Sequence, residues 1–175
     1  AAEAQWTART SNTIQSLYAV HFPNDTGYAV GYYGTVIRST DRGLDWTTLF
    51  FPNTGDLRSA WFMDGMHGFV AGDSGLFRTA DGGAAWEAVN TPVQGAWRNI
   101  VFRTPEIGFC GGGDIGDGTI LRTLDGGDTW QVVYSGAAAP ITAMDFPTAT
   151  AGYAVSLGYS TGMLQSTDGG STWTS

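Results

Sequence analysis

The stretch Ser39-Thr40-Asp41-Arg42-Gly43-Leu44-Asp45-Trp46 returns three more times along the chain. Its copies are Thr79-Ala80-Asp81-Gly82-Gly83-Ala84-Ala85-Trp86, Thr123-Leu124-Asp125-Gly126-Gly127-Asp128-Thr129-Trp130 and Ser166-Thr167-Asp168-Gly169-Gly170-Ser171-Thr172-Trp173. All four obey S/T-x-D-x-G-x-x-W, and counted from Trp6 the tryptophans lie 40, 40, 44 and 43 residues apart. A period of this size marks a repeat architecture, in which a single unit cannot bury its own apolar face. The phrase itself suits a tight chain reversal. An Asp carboxylate accepts backbone N–H bonds inside the turn, Gly supplies a positive φ, and the Ser or Thr hydroxyl bonds the same turn. Because every copy carries it, Asp41, Asp81, Asp125 and Asp168, with Trp46, Trp86, Trp130 and Trp173, have a structural role. A reaction centre would be unique.

A second frame runs between the phrases. Phe22, Phe62, Phe102 and Phe146 each end a strand-like run, and Gly27, Gly68, Gly108 and Gly152 each begin the next. In the first repeat the runs cover residues 17–22, 27–31, 35–39 and 45–50, rich in aromatic and β-branched residues and bounded by Gly, Asn, Asp and Pro. The first strand is apolar at two phases: Leu17, Leu57, Trp97 and Ile141 at one, Val20, Ala60, Ile100 and Met144 at the other. This predicts a sheet buried on both faces. Four-stranded antiparallel units of about 42 residues, packed face to face, are the blades of a β-propeller. The expected fold is therefore all-β, one propeller domain over residues 1–175, with repeats at approximately 6–46, 47–86, 87–130 and 131–173.

Composition agrees. The 175 residues are 42% apolar and 13% aromatic, enough for a core, while 26 Gly and 6 Pro favour short strands and turns over long helices. Only 14% are charged, against roughly 25% in average proteins. All eight cations are Arg and the net charge is −8, which argues against a nucleic-acid partner or an anionic membrane surface. No apolar run reaches the ~18 residues of a membrane span, so no membrane insertion is expected. Cys110 is the only cysteine, which excludes an intrachain disulfide and a Cys-based zinc site. It aligns with Ala29, Val70 and Ala154, as an inert thiol in a small buried position would. The opening Ala1-Ala2-Glu3-Ala4 resembles residues that follow a cleaved secretory signal, so the expected location is periplasmic, extracellular or at the cell surface.

The repeated phrase resembles the Asp-box, or BNR repeat, of sialidases, sortilin-type receptors, xyloglucan-cleaving enzymes and the photosystem II stability/assembly factor family. The fuller pattern, Leu121-Arg122 before the third copy with Gly108-Phe109 upstream, is most similar to the last of these. The resemblance covers essentially the whole chain. It implies a propeller scaffold that binds or assembles proteins; the boxes lie away from the functional face in such families, so none of the box Asp residues carries a function across.

Residues 5–10 have fourth-strand character and no blade of their own, whereas the chain stops two residues after Trp173. Three arrangements follow. Residues 5–10 pair with residues 162–166 to close a four-blade ring, a second chain completes a larger ring, or the chain is part of a longer propeller. Trp6 and Trp173 would compete for one position in the first.

Catalytic patterns are missing. The three Glu are Glu3, Glu87 and Glu106, none placed like the nucleophile or acid of a glycosidase, and His21 and His67 share no repeat phase. The expectation is a non-catalytic protein-binding or assembly scaffold without cofactor. Its alternatives are a subunit that self-assembles through blade completion, and a carbohydrate-binding or glycosidase-related propeller. The partner is a protein or copies of itself, with a glycan as the alternative. Side chains that differ between repeats on the face opposite the boxes are the candidate binding residues: Tyr32, Tyr33, Asp73, Asp114, Asp117 and Tyr159 from the loops between second and third strands, with Arg58 and Arg98 at the starts of first strands. Asp114 and Asp117, in a Gly-rich loop longer than its siblings, invite comparison with a Ca²⁺ loop but lack its full motif, so no metal is assigned. Arg38, Arg78 and Arg122 share one phase before the box and suit struts that pack their stems.

Overall fold

The computed structural model describes residues 7–157 and 162–175. They form four antiparallel sheets in chain order, four blades of a β-propeller. Blade 1 is β1 (Leu17–His21), β2 (Gly27–Gly31), β3 (Val36–Ser39) and β4 (Thr47–Leu49); blade 2 is β5 (Leu57–Phe62), β6 (Gly68–Gly72), β7 (Gly75–Thr79) and β8 (Glu87–Ala88). Blade 3 is β9 (Trp97–Phe102), β10 (Gly108–Asp114), β11 (Asp117–Thr123) and β12 (Gln131–Ala137), and blade 4 is β13 (Ile141–Asp145), β14 (Gly152–Ser156) and β15 (Met163–Ser166). Strands pair only with their neighbours in sequence, so every blade is a meander.

Three apolar cores lie between consecutive blades. Tyr28 and Val36 of blade 1 meet Leu57, Ala60 and Phe62 of blade 2; Phe69 and Leu76 meet Trp97, Ile100 and Phe102; Phe109 and Ile120 meet Ile141, Met144 and Trp173. The middle strands of the inner blades are buried on both sides, as a sheet sandwiched between neighbours must be, and β2 and β6 are buried throughout; in blade 4, β14 and β15 alternate buried with exposed residues. Cys110 is fully buried in the second of these cores, and that burial pushes its thiol well above the ordinary range.

One detail of the sequence reading is corrected here. Leu57 and Ala60 face the same neighbour, as do Trp97 with Ile100 and Ile141 with Met144. A register shift near the start of each first strand, between Leu57 and Ser59 in blade 2, places residues three apart on one face. The opposite face carries Ser59 and Trp61, and the Ser59 hydroxyl accepts a hydrogen bond from the Ile100 N–H of the next blade at 3.1 Å.

The expected closing strand is also different. Residues 7–10 form no strand, and Gln5 and Trp6 lie outside the described residues. The edge of β15 is taken instead by Thr174, which exchanges both backbone hydrogen bonds with Gln165. Among the described residues no apolar core joins blade 4 to blade 1.

Candidate functional site

The two ends of each blade are built for different purposes. At one end sit the four boxes. The Ser or Thr hydroxyl accepts the N–H of the Gly four residues on (Gly43, Gly83, Gly127, Gly170) at 2.8–2.9 Å and donates to the Asp at 2.7–2.9 Å. The Asp then accepts the N–H of the residue before the Trp at 2.9–3.0 Å. These donors lower the carboxyl pKa of every box Asp. For Asp125 the Thr129 hydroxyl, the Thr129 N–H and the Thr123 hydroxyl bring it to about 2, and the Thr172 hydroxyl leads the same effect at Asp168. With its donors accounted for by its own turn, each box is a structural clasp. Blade 1 departs in one respect: Arg42 holds the left-handed position (φ 65°) that Gly82, Gly126 and Gly169 hold elsewhere, and its guanidinium forks onto Asp25 at 2.9 Å.

Arg78 and Arg122 reach from one box to the next. Arg78 bonds Glu87 on its own blade and Asp128 of blade 3 at 2.8 Å, and Arg122 donates to Ser171 of blade 4 while its guanidinium lies over Phe109. Arg38 lies over the Tyr28 ring. The arginine stripe therefore braces the seams between blades.

At the opposite end, a residue at or near the end of each second strand donates its N–H to the carbonyl just before the first strand: Tyr32 to Ser16, Asp73 to Asp56, Gly113 to Ala96 and Leu157 to Pro140. This ties the loops to the inner strands and brings Tyr32, Tyr33, Arg58 and Asp73 together at the seam of blades 1 and 2. In blade 1 the connection is a tight turn in which Tyr33 takes a left-handed conformation (φ 54°) and donates its N–H to Asp56 at 3.0 Å. The rings of Tyr32 and Tyr33 stay exposed, 6.0 Å apart. Asp56 also pairs with Arg58, which forks onto Asp73 and lies 4.9 Å from the Tyr18 ring centroid. Tyr33, Asp56, Arg58, Asp73 and Tyr18 thus form one network across blades 1 and 2, and the hydrogen bonds that Arg58 donates to Asp73 hold its guanidinium more firmly charged. The sequence reading missed Asp56 and Tyr18; their signal was adjacency to the start of an inner strand.

Arg98 occupies the position of Arg58 on the next inner strand, each being the second residue of its strand. It is half-buried and its side chain has neither an ion pair nor a hydrogen bond among the described residues; its Nε and the Oδ1 of the neighbouring Asn99 side chain are buried without a partner. Asp114 and Asp117 stand apart from this network. β10 and β11 run on until these two residues pair across a two-residue turn, Ile115–Gly116, so the expected long loop is a hairpin tip. Among the described residues no three His, Cys, Asp or Glu side chains come together as a metal-ligand set. Tyr159 lies outside the described residues. His21 accepts the Phe62 N–H on Nδ1 and packs on Trp61, and burial lowers its pKa.

No family-wide sequence pattern matches the chain, and no curated protein matches it. Solved structures do. The fold is similar to YCF48 bound to D1 peptide (22% identity, TM-score 0.72, over 93% of this chain and 54% of that one). It is similar to YCF48 from Cyanidioschyzon merolae (18%, TM-score 0.75, over 98% and 59%) and to the GH74 xyloglucanase from Xanthomonas campestris (17%, TM-score 0.71, over 97% and 31%). The propeller expected from the boxes is thereby found in structure, with the fold of YCF48 and of a GH74 xyloglucanase. The chain spans little more than half the length of the YCF48 chains it matches.

Proposed function

We infer that the chain is a non-catalytic scaffold that binds an extended peptide segment across the loop ends of blades 1 to 3. The observation that carries this is Arg98: a cation on an inner strand, half-buried, with no acidic partner among the described residues, while its counterpart Arg58 is held by two carboxylates. A partly desolvated guanidinium with free donors is a site for a carboxylate, which it takes in a two-pronged bond. The exposed Tyr32 and Tyr33 rings, at the same end of blade 1, supply apolar area at small entropic cost. The likeness to a YCF48 structure holding a peptide supports the same class of ligand. A glycosidase would need two carboxyl groups free to work across a cleft; Asp56 and Asp73 are both engaged by Arg58, and Asp114 and Asp117 sit on a hairpin tip.

Fluorescence anisotropy with labelled ten-residue acidic peptides, and the same peptides with Asp and Glu changed to Asn and Gln, tests this. Arg98→Ala should weaken the acidic peptides about tenfold or more, the loss typical of a charge-assisted hydrogen bond, and leave the melting temperature unchanged. Equal binding of acidic and neutral peptides, or indifference to Arg98→Ala, would overturn the assignment.

A further inference from the structure

Where the inner strands β1, β5 and β9 run out toward the box end, a cavity of about 370 Å³ opens between blades 1, 2 and 3. His21 and Pro23 line it from blade 1, Trp61 and Met63 from blade 2, and Arg103 and Pro105 from blade 3. Its size falls within the range of small-molecule pockets. Phe22, Phe62, Phe102 and Phe146 recur in all four repeats, but the residues on either side of them do not. One position reads His21, Trp61, Val101 and Asp145, the other Pro23, Met63, Arg103 and Pro147. A blade needs the Phe; it leaves the flanking residues free to serve a ligand.

The cavity collects hydrogen-bond donors. His21 accepts the Phe62 N–H on Nδ1 at 3.1 Å, and its ring centroid lies 4.5 Å from that of Trp61. Burial lowers the His21 pKa, so the ring is neutral at pH 7. The nitrogen that accepts carries no proton, which places the proton on Nε2, where it meets no acceptor among the described residues. One blade on, a backbone donor is left over. Ile100 sends its N–H to Ser59 of blade 2, whereas Arg103 sends its own to Ile107 within blade 3. Alternation along β9 therefore turns the Phe102 N–H the same way as that of Ile100, toward Trp61, whose ring has no acceptor. Arg103 anchors Nη1 on the Ala149 carbonyl and rests over Phe146. Among the described residues it pairs with no carboxylate, and no Asp or Glu lines the cavity.

We propose that this cavity binds a small flat ring bearing a carboxylate, the ring against Trp61, His21 and Met63 and the carboxylate toward Arg103 and the unmatched N–H groups. A flat ring suits the indole, imidazole and proline walls, which offer contact over whole faces. An acceptor suits the donors, because a half-buried donor without a partner costs free energy until one arrives. The acceptor is anionic because Arg103 supplies a cation with no counter-charge, and a guanidinium takes a carboxylate in a two-pronged bond. The site lies at the opposite end of the blades from Arg98 and stands or falls independently of the peptide reading.

Three probes separate the two requirements: 2-naphthoate, its uncharged amide, and cyclohexanecarboxylate, which keeps the charge and loses the flat face. Calorimetric titration of the full chain should show one 2-naphthoate bound per chain. NMR should show the Trp61 indole N–H resonance, assigned from Trp61→Phe, shifting with it. The amide and the cyclohexane acid should each bind about tenfold or more weakly, the loss of roughly one charge-assisted hydrogen bond or one stacked ring. Arg103→Gln should bring 2-naphthoate down to the affinity of the amide with the melting temperature unchanged, while Arg98→Ala leaves its affinity as it was. Absence of saturable 2-naphthoate binding, or equal affinity for acid and amide, would overturn the proposal. So would binding that Arg103→Gln leaves intact or that Arg98→Ala removes.

Discussion

Phe109→Ala probes a complete seam. The ring is fully buried, stacked on Phe146 at 4.3 Å, edge-on to Trp173 at 6.4 Å and capped by the Arg122 guanidinium. On its far side stands Gly170, where even a Cβ would collide with the ring. Removing a buried Phe costs about 3–5 kcal/mol, more where the void cannot collapse. Two rigid rings and a backbone wall border this one, so about 4 kcal/mol is expected. At roughly 2–4 °C per kcal/mol for a chain of this size, the melting temperature should fall by about 8–16 °C. The internal control is Tyr153→Ala on β14, the register position of Phe109 on β10 but with no ring stacked on it among the described residues, which should cost about 1 kcal/mol or less. Urea titration followed by tryptophan fluorescence measures both, with Trp173 beside the lesion as reporter. A loss below about 2 kcal/mol for Phe109→Ala, or equal losses for the two variants, would refute the reasoning.

Two further outcomes are expected. Asp125 has a folded pKa of about 2, below the ordinary 3.8, so its contribution is present above the ordinary value and is lost as pH falls through the interval between them. Asp125→Asn should flatten the decline of melting temperature between those limits and leave peptide binding at the loop end unchanged; an unaltered acid profile would contradict the clasp. Arg42→Gly removes a side chain from a left-handed backbone position at the expense of an exposed ion pair with Asp25. Strain outweighs an exposed pair, so calorimetry should show a higher melting temperature, and a fall would reverse that ranking.

The boxes made the fold legible because a turn that needs one carboxylate, one hydroxyl and one positive φ leaves few choices of residue. Tyr28, Phe69, Phe109 and Tyr153 carry the same signal in strand register. What strand periodicity missed depends on bulges and on contacts distant in sequence. The shift between Leu57 and Ser59 moves Ala60 to the face of Leu57, and alternation alone cannot reveal that. Arg58 and Arg98 looked alike as letters. They differ because Asp73 and Asp56 fold back onto the first, while the matching loop of blade 3 presents Gly113 to Ala96. Glycines at 111–113 lower strand propensity and so read as a loop around Asp114 and Asp117, but pairing with β9 and β11 overrides that propensity and makes a hairpin.

One ring stack recurs at each seam, Tyr28 on Phe62, Phe69 on Phe102 and Phe109 on Phe146, and this affects how the chain must assemble. If every seam recognises the same shapes, the surfaces themselves say little about which blade belongs beside which. Blade 1 could dock on blade 3 through Tyr28 and Phe102 almost as well as on blade 2 through Tyr28 and Phe62. Sequence order is then favoured by the short connections at residues 50–56, 89–96 and 138–140, which keep each blade closest to its neighbours in the chain. Lengthening one of them would leave every native contact in place and still permit shuffled stacks, so these links act as the molecule's proofreading step.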